Sequence, residues 1–157
     1  MARTLPAAAY WLIGAVGTSR VVTRLHPVAY RWFGSAGPIG RSFGIRSVVL
    51  TTVGSRSGLP REVPLYALED GDRFVVIASK GGEPTHPDWY HNLLTHPEAT
   101  VEVGAETVPV RAQTAQGAER RRLFDQQAAL MPFFAEYERT SPRTIPVVIL
   151  TRREASG

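Results

Sequence analysis

Cysteine is absent from this chain of 157 residues, and lysine occurs once, at Lys80, among 18 basic residues. Without cysteine there is no disulfide framework, no thiolate metal site and no cysteine nucleophile. Long apolar runs are also missing. The most apolar stretch, Leu5 to Gly17, falls short of the about 20 residues that a bilayer-spanning helix needs. His86, His91 and His96 are spaced by five, which turns each about 140° around a helix from the last, so three ligands cannot converge on a metal.

Other familiar chemistries fail on a single position. Gly54, Ser55, Arg56, Ser57 and Gly58 imitate a nucleophile elbow, but arginine stands where the serine must be. Gly34, Gly37 and Gly40 precede no strand-to-helix turn of the dinucleotide kind, and Lys80 lacks the glycine that precedes the lysine of a Walker loop. The net charge of +4 and pI near 10.0 allow a nucleic acid, an anionic membrane surface or an acidic ligand. Nucleic acid is set aside, because the basic residues are dispersed and Arg120, Arg121 and Arg122 read as a solvated helix face.

What remains is enough for one compact domain: 43% of residues are hydrophobic. Residues 1–44 read as an N-terminal helical extension and linker, and 45–157 as the core domain. In the extension, Arg3 ahead of an apolar run and the small residues Ala15, Val16 and Gly17 fit a secretory leader. The apolar pattern nevertheless continues through Val21, Val22, Leu25, Val28, Ala29, Trp32 and Phe33. That continuation favours a helical region, interrupted near His26 and Pro27, which packs on the domain or lies in a membrane interface.

From Ser47 the β-branched runs predict six strands, over 47–53, 62–68, 73–78, 100–103, 107–112 and 145–151, the second and third forming a hairpin through Glu69 to Asp72. Pro87 at a first-turn position opens a short helix to about Thr95, and a longer helix runs from about Gln116 to Arg139, disturbed at Pro132. Late helices inserted among short strands argue for an α+β, mostly antiparallel barrel and against a doubly wound sheet.

The strand ends carry the chemistry. Arg56 and Arg61 fall in one loop and Lys80 in another, and neighbouring barrel strands would bring both loops to one mouth. Arginine forks and a lysine point charge suit phosphate and carboxylate groups. Gly81 and Gly82 let the backbone approach a flat ligand closely. Together these residues read as a cradle for an anionic cofactor. His86, in the same stretch as Lys80, is a candidate polar neighbour of a bound ring.

Leu50-Thr-Thr-Val-Gly-Ser-Arg-Ser-Gly-Leu-Pro-Arg61, Pro64-Leu65-Tyr66, Ala78-Ser-Lys-Gly-Gly82, Pro87-Asp-Trp-Tyr-His-Asn-Leu93 and Arg143-Thr-Ile-Pro146 resemble the deazaflavin-dependent nitroreductase family, whose members use coenzyme F420. The likeness runs from about Ile45 to Leu150. It implies a split β-barrel, of the kind that also binds flavin mononucleotide, holding reduced F420 in an open groove. On the matching positions Arg56, Arg61 and Lys80 would hold the anionic tail, while Ser79, Gly81, Pro87 and Trp89 would border the ring. Asn92 falls in the same motif, with helix packing or hydrogen bonding as its competing role.

On the acceptor side the chain departs from its relatives. Positions that are tyrosines in nitroimidazole-activating members appear here as Met131, Phe134 and Tyr137. A wall of Met131, Phe133 and Phe134 would favour a flat apolar acceptor such as a quinone, with Tyr137 or Ser79 as the catalytic hydrogen-bond donor. The buried face of a helix would use the same residues. Ser55 is a second departure, since many relatives are basic there. The expected function is hydride transfer from reduced F420 to a quinone, nitro or similar acceptor, in the cytoplasm or at the inner face of the membrane. Its alternatives are a protein that binds F420 or a fatty-acid-like ligand without turnover, and a flavin mononucleotide enzyme on the same barrel.

Overall fold

A computed structural model describes residues 44–154. The expectations for the N-terminal extension, from leader to interfacial helix, concern residues outside that range. Six strands form a closed barrel in the order β1-β2-β3-β6-β5-β4: β1 Ile45–Val53, β2 Pro60–Asp70, β3 Arg73–Ile77, β4 Glu98–Val103, β5 Glu106–Thr114 and β6 Val147–Arg152. Every neighbouring pair is antiparallel, including β1 with β4, which closes the cylinder. Helix α1 spans Asp88–Thr95, α2 Gly117–Leu130 and α3 Phe133–Thr140.

The strands lie where the β-branched runs place them, and the hairpin pairs Asp70 with Arg73 around Gly71, whose φ of 65° suits a residue without Cβ. Two helical expectations shift. Pro87 is the N-cap of α1 and not its first residue, in extended backbone with φ −68° and ψ 152°. The long helix is two, because the chain leaves helical geometry at Met131, and Pro132 then caps α3.

Strand alternation builds two cores. Val48, Leu50, Phe74, Val76, Val148 and Leu150 point into the barrel, where Trp89, Tyr90 and Leu93 of α1 join them. The residues between them, Val75, Ile77, Val147 and Ile149, face outward and are covered by Leu123, Phe124 and Phe134 of α2 and α3. Strands β3 and β6 are therefore buried on both faces, which is why they read as continuous apolar runs.

Strand β2 is different. It pairs with β1 from Pro60 to Leu68 but with β3 only from Ala67 onward, so from Pro60 to Tyr66 one of its edges lacks a strand. Pro64, which has no N–H to offer, sits in that stretch. At its end the buried amide of Gln127 donates Nε2–H to the Tyr66 carbonyl at 3.2 Å, taking the place of a strand partner. The free edge becomes a wall of the site.

Candidate cofactor groove

Two loops and one helix surround a groove of about 1000 Å³ lined by Gly54–Ser57, Arg61–Leu65, Lys80 and the exposed side of α1. The first loop joins β1 to β2. Gly54 donates to the Leu59 carbonyl at 2.8 Å, and Gly58, with φ 68°, donates back to Gly54. A Cβ on Gly54 would lie 2.5 Å from Ser57 Oγ and 3.2 Å from the Leu59 oxygen, so the turn closes only on glycine. Ser57 Oγ accepts from the Leu59 N–H and from Arg61 Nη2 at 3.3 Å. Arg56 stands exposed at the apex, with no ion pair or hydrogen bond among the described residues.

Asn92 ties this loop to α1. Its buried side chain accepts from the Ser55 N–H at 2.9 Å and donates to Thr52 Oγ1 at 3.0 Å. The hydrogen-bonding role is thus the one observed for this residue, and it sets the height of the loop that carries Arg56.

The second loop follows β3. Ser79 has right-handed backbone, φ −78° and ψ −36°, and Lys80, Gly81 and Gly82 follow with φ of 46°, 65° and 81°. Lys80 is the only non-glycine residue with positive φ among those described. A right-handed residue followed by a left-handed one turns successive N–H groups toward one side, the arrangement that makes an anion-binding nest. The N–H groups of Ser79, Lys80 and Gly81 find no acceptor among the described residues. Lys80 Nζ rests on Thr85 Oγ1 at 3.0 Å and on Glu83 at 3.3 Å. Both partners are exposed enough that the ammonium exchanges them cheaply for a ligand anion.

Of the residues anticipated for a cofactor, Arg56, Arg61, Lys80, Pro87 and Trp89 line the groove together. Ser79 and Gly81 flank Lys80 in its turn without lining the groove. Tyr137 meets the same turn from α3: a Cβ on Gly82 would sit 3.4 Å from its Cα. Burial raises the Tyr137 phenol above its ordinary value. Met131 and Phe134 lie elsewhere, in the outer core beside α2, and Phe134 is 5% exposed. Arg143 was passed over among the motif residues, although its guanidinium reaches the Lys80 loop from the far side. No spacing signal could have found it, since its partners lie about 60 positions earlier in the chain.

A groove with cations at two loops and apolar surface from Val63, Leu65, Pro87, Trp89 and Leu94 suits a long ligand with a flat body and an anionic tail. A model of the F420H(2)-dependent quinone reductase family matches residues 22–152. The chain belongs to this family. A Mycobacterium tuberculosis protein named F420H(2)-dependent quinone reductase is 35% identical over 150 residues, which is 91% of this chain and 97% of that one. Among solved structures, an F420-H2 dependent reductase, FDR-A, is 37% identical with a TM-score of 0.62 over 68% of this chain and 93% of its own. HutZ, a heme storage protein from Vibrio cholerae, shares only the fold, at 14% identity and a TM-score of 0.53 over 76% of this chain and 91% of its own.

The barrel of this F420H2-dependent quinone reductase family member is thus a split β-barrel, and the protein is an F420-dependent reductase. Its groove fits such a coenzyme on chemical grounds. Among the described residues, an arginine without a partner, a second held only by a serine hydroxyl, a lysine with replaceable partners and, in the turn around that lysine, three N–H groups without acceptors all await negative charge. Among the described residues there is no metal-ligand cluster and no helix long and apolar enough to cross a membrane.

Proposed function

We propose that the groove binds reduced F420 with its phosphate and carboxylate tail on Arg56, Arg61 and Lys80 and its ring bordered by Ser79, Gly81, Pro87 and Trp89, and that the acceptor is a quinone. The observation that carries this reading is the convergence of those three cations, Arg56 from the β1–β2 loop, Arg61 from the start of β2 and Lys80 from the loop after β3, on one groove that Trp89 also lines. Bound F420H2 supplies the hydride. The protein's own work is to hold that donor, exclude water and steady the acceptor.

Reduction of a quinone to a quinol takes a proton as well as a hydride. Tyr137, whose backbone packs on the Lys80 turn, and the hydroxyl of Ser79 within that turn are the donors assigned to this step. Tyr137 and Met131 remain half-buried and so keep surface for a flat acceptor. Phe134 supports them from the core, packing against Phe133 at 4.5 Å between ring centroids. Nitro compounds of similar shape would be reduced at the same place. A quinone acceptor sets the cytoplasmic enzyme at the inner membrane face, with the apolar N-terminal segment in peripheral contact; liposome co-sedimentation of the full chain against residues 44–157 checks that placement.

The deciding experiment is a titration of the purified protein with F420, with flavin mononucleotide as competitor, followed by oxidation of the reduced complex by menadione. Tight F420 binding with turnover is the expected result. Preference for flavin mononucleotide, or F420 binding without turnover, would replace this reading by the flavin enzyme or the carrier.

A further inference from the structure

The loop from Ala78 to His86 holds Lys80 in a backbone conformation that L side chains rarely adopt. Something outside the loop must hold it there. Arg143, in the connector between α3 and β6, spans the whole loop with one guanidinium. Its Nη2 donates to the Ser79 carbonyl at 2.8 Å and, with Nη1, to the Ala78 carbonyl at 3.2 Å; its Nε donates to the Glu83 carbonyl at 2.9 Å. Nη1 also lies 2.8 Å from His86 Nδ1.

A guanidinium has no lone pair to offer, so Nδ1 must accept and His86 must be the neutral tautomer with hydrogen on Nε2. Burial first, then the charge of Arg143 and the nearby His91, hold the His86 pKa below its ordinary value of 6.5. The groups facing His86 are Arg143 from the connector, and Tyr90 and His91 from α1 with ring centroids 5.1 and 5.9 Å away. None is a carboxylate, so nothing there compensates a proton. Glu83 is engaged by Lys80.

We infer that Arg143 is a positioning residue for cofactor binding, a brace that holds the Lys80 turn in its binding geometry and is released when His86 takes up a proton. It touches no ligand itself; it acts through the carbonyls on either side of the nest. Lysine replaces it only in part, because a single ammonium cannot reach acceptors spread from Ala78 to Glu83. Affinity for F420 then falls as pH drops through the His86 pKa, which is held below the ordinary histidine value, because protonation replaces an accepted hydrogen bond by two facing cations.

The inference rests on the groove reading above, and its test separates the two. Amide hydrogen exchange of the cofactor-free protein reads the brace directly, and the F420 dissociation constant over pH reads its consequence. Arg143→Ala is expected to speed exchange at Gly82 and Glu83, whose N–H groups are bonded to the Ser79 and Lys80 carbonyls, and to weaken F420 binding roughly tenfold or more, with Arg143→Lys intermediate. Millimolar methylguanidinium restores binding to Arg143→Ala but not to Lys80→Ala. In His86→Asn, whose amide oxygen accepts at the Nδ1 position without titrating, the acid loss seen in the wild type is expected to disappear. Titration of the ligand itself is common to both proteins and cancels.

Wild-type exchange at Gly82 and Glu83 in a folded Arg143→Ala variant would overturn the brace, whatever F420 does. If that variant does not fold, His86→Asn decides: an acid loss equal to the wild type's overturns the switch. Undiminished F420 affinity in Lys80→Ala, with loop exchange faster in Arg143→Ala, would sink the groove reading and leave the brace standing.

Discussion

The flank of the barrel under α2 and α3 and the groove beside β2 belong to one barrel, yet they spend their residues in opposite ways. On the flank, Val75, Ile77, Val147 and Ile149 face Leu123, Phe124 and Phe134, and little is left over. In the groove, strand pairing stops, a proline is tolerated, and arginine, lysine and backbone N–H groups stand without full partners. Burial of apolar surface stabilises the first region, and unmet polar and charged groups make the second receptive. A fold that satisfied both regions equally would have nothing with which to bind.

Breaking the flank should cost the most. Phe124→Ala, at a residue 2% exposed, is expected to lower stability by about 3–5 kcal/mol, while the folded fraction binds F420 as before; denaturant titration with and without ligand measures both. Loss of affinity without loss of stability would mean that the two regions are not separable. In the groove the pattern reverses. Lys80→Ala should weaken F420 binding about 10- to 100-fold, the worth of a charge-assisted hydrogen bond, with no loss of melting temperature. Lys80→Gly should be at least as stable as the wild type while binding equally poorly, because glycine adopts the φ of 46° freely.

Asn92 joins the two regions, and its removal should show both signatures in smaller measure. Asn92→Ala strands the Ser55 N–H and removes the donor to the Thr52 hydroxyl, which keeps only the Arg61 carbonyl, for an expected loss of about 1–3 kcal/mol in stability with a several-fold rise in the F420 dissociation constant. The smallest effect lies at the rim of the flank. Hydrogen bonds from Arg122 and Arg73 hold the Asp70 carboxyl below its ordinary pKa of 3.8. A depressed carboxylate contributes stability that is full above the unfolded value and lost as pH falls through the folded one. Asp70→Asn should therefore flatten acid unfolding below about pH 4, seen by circular dichroism, and leave F420 binding at neutral pH unaltered.

The same contrast explains what could be read in advance. The β-branched runs of β1, β3 and β6 state their conformation locally, and the strand count and hairpin followed from them. Pro87 marked a helix boundary to within a residue, whereas at Pro132 the expected disturbance of one long helix is a full break between two, because the N-cap accommodates a ring that fits no interior position. Arg56, Arg61 and Lys80 were legible as a group because glycines and strand ends surround them. Met131 and Phe134 were grouped as an acceptor wall from helical spacing, which does not tell an outward face from an inward one; packing against α2 placed Phe134 in the core. Gln127 and Arg143 gave no local sign, since each acts on carbonyls that are distant in the chain.

By itself the sequence determined the strands, the helix limits and the chemistry of the loops, because backbone preference and turn geometry are set by near neighbours. Only the tertiary structure decided that β2 leaves β3 at Tyr66, that two loops share one groove, and that Arg143 braces the turn of Lys80. Those outcomes depend on which surfaces meet when the barrel closes, and closure brings together residues that no local pattern relates.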